Sequence, residues 1–276
     1  MTFEVVDDVA LALHSGRLDA TSPVTLLVAE RLGPLVEFLY LRQARADRYR
    51  CVEVPPTELS RAADAALTGR RVSGTAYGSA TGFLPLARRQ PHATDQSQWE
   101  HWCLRTQQAA ERSGVPKTLA QSLIAALQEL EDNVHVHSGA PATAIVGYVA
   151  TDSSFEFVVA DGGIGVLQSL RQAPEFAGLT DGGEALRLAL SDGISRFGRA
   201  SDRGYGFRSL FTALAGHDGA LRFRSGDHAL TIAGAGPTLA LATISQKAPL
   251  AGFIVSVLCP SGMGRTGGSR PGARTS

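Results

Sequence analysis

At 276 residues the chain is long enough to bury a core in one large domain or two modest ones. Its 26 basic and 26 acidic residues cancel, which leaves no net field to draw it to nucleic acid or an anionic membrane, and 44% hydrophobic against 19% charged residues excludes a disordered chain. Cys51, Cys103 and Cys259 have no ligand-like spacing, the N-terminus carries Glu4, Asp7 and Asp8 where a signal peptide needs bases, and no apolar run approaches ~18 residues. A cytoplasmic protein is expected.

Residues 1–95 read as a small α/β unit. A buried strand is expected at 24–29, a helix at 35–42, an alternating strand at 49–54 stopped by Pro55-Pro56, a helix at 59–67 and a short strand at 84–86. Arg88 to His92, followed by a run of polar residues to Gln98, marks the best boundary. A second domain, 96–260, follows. Helical periodicity resumes at 99–112, and Ser113-Gly114-Val115-Pro116 stops one helix and starts the next, 117–137. In that second helix Leu119, Leu123, Leu127, Leu130 and Val134 form a stripe in steps of three and four. Strands at 142–149 and 155–160 make a hairpin around residues 151–154. The weakly patterned stretch 166–203 holds a helical turn at 167–171 and a helix at 183–190, and has the character of a lid or binding loop. A helix at 207–215 and strands at 221–224, 229–233, 238–244 and 253–258 complete the domain; the Gly-, Ser- and Arg-rich tail 261–276 is expected to be disordered.

The chemistry-bearing residues concentrate between Leu119 and Gly165. Glu129 and Asn133, four apart, project within about 40° of each other at ~100° per residue. The strand that ends at Ala160 runs directly into Asp161-Gly162-Gly163-Ile164-Gly165. A helix offering a carboxylate and a carboxamide, beside a strand ending in an aspartate and glycines, suits a nucleotide and a hard cation such as Mg²⁺. His135 and His137 diverge by about 200° at ~100° per residue, so a shared ion is disfavoured. A second Asp-Gly-Gly at 181–183 has no strand before it and reads as an ordinary turn.

Glu129 to Asn133 with His137-Ser138 resembles the N-box of the GHKL ATPases, the group that holds histidine-kinase catalytic domains and anti-sigma-factor serine kinases. Asp161 to Gly165 is similar to their first glycine box, and Gly204-Tyr205-Gly206-Phe207 to their second, in family order over residues 100–260. The resemblance implies an α+β fold: a two-layer α/β sandwich of Bergerat type, a mixed sheet with helices on one face, preceded here by the small N-terminal domain. It implies ATP and Mg²⁺ as cofactors. Asp161 would accept from the adenine amino group, with Gly163 and Gly165 letting backbone approach base and sugar. Asn133 would bind the metal, His137 would contact phosphates, and Gly204 and Gly206 would bring backbone N–H groups to them. Glu129 would act as general base. Arg196, Arg199 and Arg203 are further phosphate-contact candidates in the lid.

By this resemblance the chain is a soluble Mg-ATP-binding regulator that phosphorylates or switches a partner protein. The alternative is a non-catalytic, ATP-gated protein-binding module. The N-terminal unit resembles the STAS-like domains on which such kinases act; the partner expected from the resemblance is a STAS-type or sigma-factor-like regulatory protein, and a homodimer is allowed. Two departures stand out. Gly252-Phe253 replaces the Gly-Thr that often opens the last strand of the family, and no phosphoacceptor histidine motif is present.

Overall fold

The strand Ser154–Asp161 (β5) explains the architecture, because both of its faces are apolar enough to need cover. Phe155, Phe157 and Val159 point one way and Val158 and Ala160 the other, all buried. The computed structural model, describing residues 1–19, 21, 23–69, 80–86, 96–191 and 207–261, meets that demand with helices on both sides.

The remaining strands around β5 are Thr81–Pro85 (β3), Ile145–Thr151 (β4), Asp218–Ala235 (β6) and Thr243–Pro260 (β7). They lie in the order β3-β4-β5-β7-β6, every neighbouring pair antiparallel. The fold is therefore α+β as expected, but the sheet is antiparallel rather than mixed. β4 and β5 form the expected hairpin, turning at Asp152-Ser153 between paired Thr151 and Ser154. The strands expected separately along 221–258 merge into two long ones. Glycines that read as breaks instead accommodate irregularities: Gly226 (φ 55°) sits at the register shift of β6 against β7.

On one face lie Gln96–Arg112 (α5), Lys117–His137 (α6), Gly165–Leu170 (α7), Gly182–Ala189 (α8) and Arg208–Leu214 (α9). The expected α6 stripe is buried in full against Phe155, Phe157 and Val159. Trp99 and Trp102 of α5 stack at 5.5 Å, and Trp102 meets Tyr148 of β4 edge-on.

The other face is covered by Phe3–His14 (α1), Leu32–Ala44 (α2), Ala46–Tyr49 (α3) and Glu58–Leu67 (α4), with a two-stranded parallel ribbon of Val24–Thr25 (β1) and Val52–Glu53 (β2). Residues 32–41 of α2 are all buried, as a helix apolar on every side but for Glu37 must be. These helices share their core with Ile145, Val158, Ala160 and Ile254 of the sheet. The boundary expected at residue 95 thus does not divide the core, and the helices are not confined to one face. The physical reason is that β5, with Val158 and Ala160 on its second face, cannot leave that face in water. β3, from the expected N-terminal unit, is itself an edge strand of the main sheet.

Ion pairs join the layers where apolar contact does not. Glu156 of β5 accepts from the backbone N–H groups of Leu32 and Gly33 at 2.9 and 3.0 Å, from Nε and Nη2 of Arg31 at 3.1 Å, and from Ser256 Oγ at 3.2 Å. It caps α2 from the sheet. Glu37, 1% exposed, accepts from Arg222 Nε and Nη2 and from Arg224 Nε at 2.8, 2.9 and 3.1 Å, while Asp7 of α1 takes Arg222 and Lys247. Among the described residues no helix is long and apolar enough to cross a membrane.

Candidate functional site

Glu129, Asn133 and His137 lie on α6 in steps of four, each half-buried, while the apolar stripe beside them is buried. They form one polar row that ends at the C-terminus of the helix. There His137 Nδ1 stands 3.5 Å from Ser169 Oγ of α7. His135 turns away and its Nε2 lies 2.8 Å from Glu131 Oε1, so the two imidazoles have different neighbours.

Asp161 is the last residue of β5 and continues the row Phe155, Phe157, Val159 that faces α6. It is 3% exposed. The N–H of Gly163 donates to its Oδ1 at 2.8 Å. Burial raises its pKa to about 6, and backbone N–H groups of Gly163 and Phe253, which favour the carboxylate, offset only part of that effect.

The backbone after Asp161 is fastened to the rest of the fold at alternate residues. Gly162 N–H donates to Thr143 Oγ1 at 2.9 Å, Ile164 N–H to Ser138 O at 2.9 Å, and Val166 N–H to Ser225 Oγ at 2.9 Å. The glycines are explained by these approaches. A Cβ on Gly163 would lie 2.0 Å from Ser138 O, and one on Gly165 (φ 74°) 2.8 Å from Ser225 Oγ. Both glycines therefore make room for the protein's own backbone and side chains, a reason independent of any ligand. Gly252 (φ 79°) does the same for β7, where a Cβ would meet Asp161 O at 1.9 Å.

The motifs expected to cooperate are thus brought together in part. The end of α6 abuts the Asp161–Gly165 loop through Ser138, and His137, the last of the polar row, reaches Ser169 of α7. Gly204 and Gly206 lie outside the described residues, as do Arg196, Arg199, Arg203 and residues 262–276 of the tail. The helix that follows the second glycine pair, α9, packs against α6. Phe253 pairs with Asp161 in the ladder and puts its ring edge-on to Phe207 at 5.9 Å. Asp181 is a helix N-cap rather than a plain turn, accepting from Glu184 N–H at 2.6 Å.

Sequence reasoning passed over Thr143 and Ser225, which with Ser138 hold the loop, and Tyr40, which reaches it from the opposite face. No local signal marks them, because each acts on a partner tens of residues away.

In chemical terms Glu129 and Asn133 are hard oxygen donors, and among the described residues no group of three or more His, Cys, Asp or Glu is placed to hold a metal alone. Such a set fits a Mg²⁺ ion that keeps waters and takes phosphate oxygens. A buried carboxylate at a strand end fits an exocyclic amine. Comparison of the chain with protein-family models, with curated proteins and with solved structures gives no match.

Proposed function

We propose that this chain binds Mg-ATP in a Bergerat-type site between α6 and the Asp161–Gly165 loop, and phosphorylates or switches a partner protein. The observation that carries the reading is the junction of the two motifs. The row Glu129, Asn133, His137 ends one residue short of Ser138, whose carbonyl accepts the Ile164 N–H at 2.9 Å. Two segments, alike to an N-box and a glycine box, meet end to end although 23 residues separate His137 from Asp161.

Bound Mg-ATP would supply an electrophilic phosphoryl group with part of its charge neutralised by the metal. Asp161, largely ionised above pH 6, would accept from the adenine amine. Asn133 would hold the cation through its amide oxygen. Glu129, one turn earlier, would take the proton of an attacking hydroxyl or water.

Isothermal calorimetry tests the site. Asn133→Ala and Asp161→Asn should each weaken Mg-ATP binding by about 10-fold or more, the worth of one charge-assisted contact. Unchanged affinity in both variants overturns the assignment. Glu129→Gln should keep the wild-type affinity while losing hydrolysis or transfer by about 100-fold or more. A wild-type chain that binds Mg-ATP and turns over none, with retained partners present, is the ATP-gated module instead.

A further inference from the structure

The helix α2 lies on the face of the sheet opposite α6, yet it reaches the back of the Asp161 loop. Gly33, Glu37 and Tyr40, spaced by four and three, form the face it turns to the sheet. Its N-terminus is fixed to β5 by Glu156, as described above. At its other end Tyr40, buried, points its hydroxyl at Thr143 O (2.7 Å) and Ala160 O (3.0 Å), so one phenolic proton serves two carbonyls. A Cβ on Gly162 would lie 3.7 Å from the Tyr40 ring.

The two anchors are commensurate. From Gly33 to Tyr40 the helix advances roughly 10 Å at ~1.5 Å per residue, and from Glu156 to Ala160 the strand advances about 13 Å at ~3.3 Å per residue. α2 therefore runs alongside β5 and is tied to it at both ends. Thr143 relays the second tie: its carbonyl takes the Tyr40 hydroxyl while its own hydroxyl takes the Gly162 N–H.

We propose that Tyr40 is a positioning residue for the nucleotide site, through which the N-terminal helical layer sets the place of the Asp161–Gly165 backbone. Its consequence for affinity rests on the Mg-ATP reading above; its effect on the loop does not. Whatever shifts α2, including a partner docked on the N-terminal layer, then alters the loop from behind the sheet.

The test uses amide hydrogen exchange on the full chain without nucleotide, and Mg-ATP calorimetry beside it. Tyr40→Phe should speed exchange at Gly162, Gly163 and Ile164 about tenfold, leave Val158 unchanged, and weaken Mg-ATP about fivefold. Val36→Ala, which loosens the same helix without a bond to the loop, should lower global stability yet leave those three amides and the affinity within about twofold. Unchanged exchange at the three amides in Tyr40→Phe, or an equal change in Val36→Ala, overturns the positioning role. A wild-type chain that fails to bind Mg-ATP overturns the nucleotide reading and the affinity consequence, while the exchange result still decides the role of Tyr40 in the loop.

Discussion

Asp161 is held in a setting that opposes its charge. Its pKa of about 6 in the fold stands above the 3.8 of a free carboxyl because burial disfavours the ionised form. A group that binds its proton more tightly when folded contributes stability that is complete below pH 3.8 and is lost as pH rises through 6. That difference is worth about 3 kcal/mol at ~1.4 kcal/mol per unit. An asparagine keeps an acceptor for the Gly163 N–H and carries no charge. Asp161→Asn is therefore expected to unfold at higher urea than wild type at pH 8, by about 1–3 kcal/mol, with the gap closing as pH falls from 6 toward 4. Urea titrations of both proteins at pH 4.5, 6 and 8 measure it; a pH-independent gap rules out burial as the cause. On the proposed reading, the cost of keeping this carboxylate would be stability traded for recognition of adenine.

Between elements, the contact that matters most is the one between the end of α6 and the loop after β5. Gly162 and Gly163 are neighbours with different demands. A Cβ on Gly163 meets a backbone oxygen at 2.0 Å, whereas one on Gly162 meets Thr143 Oγ1 at 3.3 Å, a side chain able to give way. Gly163→Ala should thus cost about 2 kcal/mol or more and free the Ile164 N–H, while Gly162→Ala costs below about 1 kcal/mol. Chemical denaturation of the two variants, side by side, measures the difference. This junction also shows what the sequence makes legible. α6, the β4–β5 hairpin and the Asp161 loop follow from periodicities of 3.6 and 2 and from glycine punctuation, all local signals. α1 is harder: Val6, Ala10 and Leu13 have helical spacing, but Glu4, Asp7 and Asp8 draw the eye to the surface. The length of β6 and β7 is hidden because Gly226 and Gly252 read as breaks, though a positive φ at each keeps the chain in the sheet. The bonds of Ser138, Ser225 and Tyr40 to the loop depend on pairings that no short window contains.

Across the whole molecule the question is whether the two helical layers act as one body. The polar stretch near residue 95 reads as a linker, yet Thr81 pairs with Val149 and both layers pack on β5. The buried ion cluster sharpens the test, because Glu37 belongs to one layer and Trp99 and Trp102 to the other. Glu37→Ala strands Arg222 and Arg224, 5% and 1% exposed, without their shared carboxylate. Breaking such a pair from one side costs ~3–5 kcal/mol. Arg31→Ala is the control. Arg31 is 37% exposed, and its partner Glu156 keeps two backbone N–H groups and Ser256, so about 1 kcal/mol is expected. Urea unfolding followed by tryptophan fluorescence reports the far face alone, and circular dichroism reports both. In a single cooperative body Glu37→Ala moves both transitions to the same lower urea concentration. Were the N-terminal layer an independent domain, circular dichroism would split and the tryptophan midpoint would stay at its wild-type value. Coincident transitions would mean that any partner grasping α1 to α4 acts on the same cooperative unit that carries Asn133 and Asp161.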